Sequence, residues 1–466
     1  MEAPTIKSRG NFCTSIIRLR YLIKRVITLR ESRLSKNKEK IIEVPILARV
    51  EGEGALKIEI KNNKIQALQL KIYEPPRLFE KFLEQREYSE VLDIVARICG
   101  ICPVAYQMSA TQAIENCFGM KPSSWVREMR RLFYCGEWIE SHCLHIHLLA
   151  LPDLFGFKSA PEMAKVCPDE VRRGLRLQAL GNEIMRVFGG RSVHPVGARV
   201  GGFYKAPNLE TMQLILKKIK GSFADCESLI RWLSTLTLGK NSPDFTCVSL
   251  CHPEEYPMNE GRIVSDQGLD IAIEEFDEYF KENQTPYSTA LHCLLKGKPY
   301  LVGPLARLNI NHAKLPEQIQ TLLKHIGIHF PSKNMHHSIL ARAIEVYFCL
   351  WEASRILENY TFPDSPYTEV TIASGTGYGC TEAPRGLLWH CFEIDKKGLV
   401  KFARIVPPTS QNQARIEEDL CLSLQQFGLD KSNEELRSYS EMLIRNYDPC
   451  ISCSTHFLTL DVRRND

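Results

Sequence analysis

Asp448-Pro449-Cys450-Ile451-Ser452-Cys453-Ser454-Thr455-His456 is the stretch on which the reading of this chain turns. Two thiols sit three residues apart and a histidine follows three residues later, which is the spacing of a metal site. A two-residue gap lets both sulfurs face one ion, and Pro449 stiffens the approach by fixing its own φ. One such pair supplies half of a four-sulfur site. The only other Cys-x-x-Cys pair is Cys99-Gly100-Ile101-Cys102, near the opposite end. A structural zinc ribbon joins its pairs over about 15–20 residues, whereas most of this chain intervenes. If the pairs converge, the fold wraps both ends around one buried centre. Spacing alone leaves three readings open: structural zinc, unrelated buried thiols, or a catalytic thiolate site.

Working outward, 466 residues allow for about three average domains. A hydrophobic fraction of 44% with 24% charged residues suits a globular protein with a large core. No run of about 18 apolar residues occurs, so no membrane span is expected. The net charge of +4 is unevenly placed, because residues 1–40 hold 11 Lys/Arg against three Asp/Glu. The remainder is mildly acidic, and the basic balance is no argument for nucleic acid. Residues 18–27 are compatible with a basic amphipathic helix on an anionic membrane surface, or with a disordered extension. Seventeen cysteines without a signal peptide point to a reducing cytoplasm, where Cys pairs bind metal or do redox chemistry.

The body is expected to begin near Ile41. Leu56, Ile58 and Ile60 alternate with polar residues, a turn follows at 61–64, and Ile65, Leu68, Leu70 and Ile72 complete a β-hairpin. Helical spacing runs over 78–85, 90–98 and 105–117, which places Cys102 near a helix N-terminus where backbone N–H groups favour a thiolate. Long helices are expected from Ser124 to about Leu151, broken at Pro152, and from Pro168 to Phe188, capped at Gly189-Gly190. Another spans 208–238 with Leu214, Ile219 and Leu229 facing the core, and a further one spans 336–360. Residues 240–312 are mixed and turn-rich. Two short strands flank Lys396-Lys397-Gly398, and helices over 413–427 and 433–447 follow. The fold class is α+β and mainly helical. A single large domain is built on a bundle of long helices with small peripheral sheets, and its two cysteine pairs converge on a buried metal site.

At these motifs the sequence resembles the large, catalytic subunit of nickel–iron hydrogenases. Arg97 through Cys102 is similar to that family's first cysteine motif, and Asp448 through His456 to its last. Between them stand, in the family's order, Arg49–Gly54, Gly189–Pro195 with Gly201-Gly202-Phe203, Gly303-Pro304-Leu305-Ala306-Arg307-Leu308-Asn309, and Glu382-Ala383-Pro384-Arg385-Gly386. The resemblance covers about residues 45–456. Ala48–Gly54 and Cys102–Tyr106 are most like the cytoplasmic multisubunit branch, whose members exchange electrons with NAD(P) through partner subunits. One departure is Tyr106, where the family usually places a histidine close to a bridging sulfur. A phenol donates one hydrogen bond but does not act as imidazole does near neutral pH.

Reversible splitting of dihydrogen into protons and electrons begins with cleavage into a proton and a hydride, which needs a soft, electron-rich metal and a base close by, and thiolates suit nickel. The resemblance implies Cys99 and Cys450 as terminal nickel ligands, with Cys102 and Cys453 bridging to an iron that carries cyanide and carbon monoxide. It implies Arg385 above the metal pair, with Pro384 and Thr409 around the cyanides. Arg385 offers an always-charged fork of donors. Cys450 is the implied local proton acceptor and Glu51 the start of the proton path, while Asp153 and Asp448 match acids around Arg385. Glu80 and His456 match ligands of a magnesium ion, ordinary for the carboxylate and less usual for the imidazole. His142, His145 and His147 read as structural or partner-facing.

The other cysteines lack the spacing of an iron–sulfur cluster, and no G-x-G-x-x-G fingerprint follows a strand. Electrons therefore need a small iron–sulfur partner subunit, and any flavin or NAD(P) site belongs to further subunits. Two other functions compete: a noncatalytic relative within an electron-transfer complex, and a zinc-stabilised scaffold. The domains expected are a basic extension over 1–40, the hydrogenase domain over 41–456, and a tail over 457–466. The resemblance implies that a maturation endopeptidase removes this tail.

Overall fold

Alternation puts Leu56, Ile58 and Ile60 on the buried face of Gly54–Lys61, which pairs antiparallel with Lys64–Ile72. Asn62 and Asn63 take left-handed backbone (φ 54° and 56°), which a two-residue hairpin turn needs and asparagine tolerates. The computed structural model describes residues 39–239 and 244–455. A strand with too short a pattern to read from sequence, Lys40–Val44, adds to the hairpin edge through Ile42 and Val44. Lys40, placed above in the basic extension, already pairs with Ile60. The amphipathic stretch 18–27 lies outside the described residues.

Four long helices form the core: Ser124–Leu144, Pro168–Gly189, Leu209–Ser234 and Ser338–Glu358. Gly190 closes the second in left-handed backbone, as expected of a C-cap. Pro152 does not break the first. The helix widens to π geometry over His145–Ala150 and re-forms over Leu151–Leu154, where Pro152 sits in a first turn that needs no N–H from it. Leu214 is a second departure, for it is exposed, and Met212, Ile215, Ile219 and Leu229 carry that helix's buried stripe.

The strands Gly386–Ile394 and Val400–Val406 flank the expected turn, but the sheet has a third member, Gly375–Ala383. Its glycines disguise it. A Cβ on Gly377 would lie 2.0 Å from the Ala113 carbonyl, and one on Gly379 2.0 Å from the Ser109 carbonyl. The strand thus lies directly on the backbone of the Pro103–Cys117 helix, the helix that Cys102 caps. The turn-rich 244–302 region supplies small antiparallel sheets, and Trp389 stacks on Phe276 (centroids 4.8 Å apart) in a second, smaller core.

The helix Pro408–Phe427 begins five residues before the expected Gln413, with proline tolerated in its first turn. Asn433–Asn446 follows behind a Ser432/Glu435 capping box. The chain then turns through Asp448, in left-handed backbone at φ 55°, and the Ile451 amide bonds the Glu51 carbonyl at 2.9 Å. That bridge ties the C-terminal cysteine segment to the N-terminal sheet region.

Candidate metal centre

Each cysteine pair is set by a turn against a helix. Cys99 follows the Tyr88–Val95 helix, and its sulfur accepts the amides of Ile101 (3.3 Å) and Cys102 (3.4 Å). The Cys450 amide donates to Thr409 Oγ1 at 3.1 Å, at the start of the Pro408–Phe427 helix, and Cys453 lies in the short turn Ile451–Ser454. The two pairs converge. Cys99 and Cys450 sulfurs are 3.4 Å apart, Cys102 and Cys453 3.6 Å, and Cys450 and Cys453 2.7 Å. All four sulfurs lie within 4.8 Å of one another and are buried. Hydrogen bonds from Cys102, Cys450 and Cys453, helped by the charge of Arg385, hold the Cys99 thiol well below its usual range. Burial pushes Cys450 and Cys453 up.

Arg385 occupies the turn between Gly375–Ala383 and Gly386–Ile394 and is 3% exposed. Its Nε donates to the Asp448 carbonyl at 2.9 Å and its Nη2 to Asp448 Oδ1 at 3.1 Å. Its pKa is raised, since Asp448 and the thiolate charges of Cys450, Cys102 and Cys99 outweigh the effect of burial. Nη1 is buried without a partner among the described residues. Pro384 precedes it, its carbonyl bonded by Arg307 at 2.9 Å.

Glu51 accepts the Cys450 thiol at 3.1 Å and the Ser452 amide at 3.1 Å. Burial, then the Cys99 charge, raises its pKa. The Ser452 hydroxyl also bonds Glu51 and stands 3.0 Å from Glu74 Oε2, whose side chain is 15% exposed. Sequence reading offered no signal for Ser452 or Glu74, since a lone Ser and a lone Glu are ordinary surface residues. Glu80 binds the Ile405 amide at 2.7 Å. Three residues earlier, the Arg77 amide takes the Thr455 carbonyl at 2.7 Å. Glu80 is therefore close to where the described chain stops, and His456 lies outside the described residues.

Asp153, expected among the acids around Arg385, is itself held by two other guanidinium groups. It is bridged by Arg49 and by Arg445, the latter at 2.6 and 2.9 Å. The π-helical stretch ahead of it carries it toward the bend at Ala48-Arg49, where two guanidinium groups hold it. Besides Asp448, Glu140 also feels the charge of Arg385, and burial raises it to about 7 against the opposing Gln178 bond and Arg385 charge. Glu137, one turn before it, accepts the Val104 (2.6 Å) and Ala105 (3.1 Å) amides and so anchors the helix beginning at Cys102. Neither acid stands out in sequence, for both sit on an amphipathic helix like any other. His142, His145 and His147 are structural: all are buried, bonded to Glu345 (2.8 Å), the Arg445 carbonyl (2.7 Å) and the Cys143 carbonyl (3.0 Å). Tyr106 is buried with its ring 5.9 Å from that of His390, and burial and the charges of Cys453 and Cys102 raise its pKa.

The sequence profile of a family described as nickel-dependent hydrogenase matches residues 77–166 and 265–456, which include all four cysteines and Arg385. The chain belongs to the nickel-dependent hydrogenases. A hydrogenase relative, sulfhydrogenase 2 subunit alpha of Pyrococcus furiosus, is 32% identical over 424 residues, covering 90% of this chain and 100% of the relative. The NAD-reducing hydrogenase HoxS subunit beta of Cupriavidus necator is 26% identical, covering 90% of this chain and 95% of the relative. A solved NAD+-reducing [NiFe]-hydrogenase in the H2-reduced state superimposes with a TM-score of 0.80 at 25% identity, covering 90% of this chain and 99% of that one. This hydrogenase chain is a catalytic, oxidoreductase subunit with a nickel–iron centre, and its residues fit one. Four soft donors converge on one buried point, and a buried guanidinium keeps a donor unpaired beside them. Among the described residues of the hydrogenase, no helix is long and apolar enough to cross a membrane.

Proposed function

We propose that Cys99 and Cys450 hold nickel as terminal ligands, while Cys102 and Cys453 bridge it to an iron bearing cyanide and carbon monoxide. The observation that carries this is the four-sulfur cluster with Arg385 locked beside it by Asp448. When bound, the pair supplies heterolytic cleavage of dihydrogen. Arg385 would offer its Nη1 donor, which has no partner among the described residues, to the ligands of such a pair, and Pro384 and Thr409 would line its cyanides. The Cys450 sulfur takes the released proton and Glu51, 3.1 Å away, receives it. Ser452 and Glu74 continue the line toward solvent. Glu80 and His456 hold a magnesium ion that props the C-terminal segment.

Electrons leave to a small iron–sulfur subunit. The cover over the sulfurs supports a docking place, since Gly100 between the first two cysteines is exposed and packs beside Val193, itself 51% exposed. The likeness to an NAD-reducing enzyme supports further flavin- and NAD(P)-binding subunits and a cytoplasmic complex. The working domain is 41–456, and residues 457–466 are removed by a maturation endopeptidase.

Infrared spectroscopy with metal analysis tests the reading. Nickel and iron together with bands of iron-bound cyanide and carbon monoxide, where protein does not absorb, are expected. Zinc alone would restore the scaffold reading, and a metal-free active complex would restore the noncatalytic relative.

A further inference from the structure

Arg307 is fully buried and every one of its N–H groups is engaged. Nε and Nη2 fork onto the two oxygens of Glu345, both at 2.8 Å, and Nη1 bonds Glu382 Oε2 at 2.9 Å. The remaining Nη1 and Nη2 bonds go to the carbonyls of Ala383 (2.7 Å) and Pro384 (2.9 Å). The guanidinium lies 4.2 Å over the Trp138 ring, and Trp138 Nε1 donates to the Glu382 carbonyl at 3.1 Å. Three successive carbonyls ahead of Arg385 are therefore held by side chains. The carbonyl of Arg385 itself is seated against Gly303, where a Cβ would lie 2.8 Å from it. Gly303 and Arg307 both belong to the motif 303–309, which has no part in the chemistry described so far.

A buried ion pair alone says little, because desolvating its members offsets most of their attraction. Two donors aimed at the backbone of a single turn say more, because an ion pair has no need of them. We propose that Arg307 is the positioning residue for Arg385. By holding Ala383 and Pro384 it fixes where the Arg385 guanidinium stands beside the four sulfurs, while Gly303 bears on the same turn from the other side. This rests on reading Arg385 as the residue that acts at the metals. Lysine at 307 keeps a charge opposite Glu345 and Glu382 but has no planar fork, so it releases at least one of the two carbonyls.

The experiment uses the assembled, nickel-loaded enzyme. Arg307→Lys is expected to retain nickel, to speed amide exchange across residues 383–388, and to slow hydrogen oxidation about a hundredfold, the effect of a displacement near 1 Å. In an Arg385→Lys background the same change is expected to add less than about twofold, because it acts only through Arg385. An equal factor in both backgrounds would overturn the inference. Gly303→Ala touches none of the Arg307 side-chain bonds. At φ 114° its Cβ strains the backbone and presses on the Arg385 carbonyl from 2.8 Å, so it moves the same turn. It should show the same dependence on Arg385, which decides the matter if Arg307→Lys does not fold. Loss of nickel from both variants would overturn it too, since the motif would then serve assembly. Near-parent turnover of Arg385→Lys would refute the role of Arg385 itself, and this inference with it.

Discussion

Glu51→Gln separates proton transfer from everything else at the centre. The Glu51 carboxylate accepts the Cys450 thiol and the Ser452 amide, both at 3.1 Å, while its backbone carbonyl holds the Ile451 amide at 2.9 Å. Glutamine keeps the backbone bond and still accepts from Ser452, so the fold should lose about 1 kcal/mol or less. It cannot take a proton from Cys450 and release it toward Ser452. Removing a positioned acid–base group lowers rate by about 10²–10⁴-fold, and exchange of deuterium gas with water protons should fall within that range. Glu51→Asp gives the intermediate case. Shortening the side chain by about 1.5 Å opens the 3.1 Å contact to about 4.6 Å, beyond hydrogen-bond reach but wide enough for a water. The expected order of exchange rates is parent, then Asp, then Gln, by mass spectrometry of the evolved HD on preparations with equal nickel. Exchange at the parent rate in Glu51→Gln would refute the Cys450–Glu51 step.

Cys102→Ser and Cys453→Ser should each abolish the metal pair, because a hard hydroxyl replaces a bridging thiolate. Full nickel with full activity in either would end the bridging assignment. Burial lowers the pKa of His142 to about 4, of His145 to about 3 and of His147 to about 4. Their folded values lie below the unfolded one, so their contribution is complete above about pH 6.5 and is lost as pH falls toward 4, each by up to about 1.4 kcal/mol per pH unit. Thermal midpoints across pH 7.5 to 4.5 should show this fall, and a flat profile would contradict it. The active, nickel-loaded protein should end at His456. An intact mass that still includes Phe457 through Asp466 would show the tail to be permanent.

The cysteines, Arg385, Asp448 and Glu51 were legible because short motifs bind them to local backbone turns that any member of such a site must form. The hairpin, the long helices and the strands around residues 396–398 were legible because their apolar spacing is regular. Asp153's own partners were hidden for the opposite reason. Its partner depends on where a π-helical stretch delivers it, and that widening leaves no trace in a sequence of ordinary helix formers. Gly375–Ala383 was hidden because the glycines that let it lie on the Pro103–Cys117 helix are the residues that argue against a strand. Glu137 and Glu140 were invisible because only burial distinguishes them from solvated acids, and burial is a property of the whole bundle.

The two halves of the centre meet across 351 positions of chain, from Cys99 to Cys450. Closing a loop that long from an unfolded chain costs about 5 kcal/mol in entropy before any contact forms. Closed after the Asn433–Asn446 helix has docked, the same junction orders only the few residues that follow Asn446. Asp448, in its left-handed corner and bonded to Arg385, is the catch of this clasp. A metal reaches the sulfurs freely only while the catch is open, since all four cysteines are at most 3% exposed once it is shut. The spacing of the cysteines along the chain thus makes this last turn the part that seals the centre.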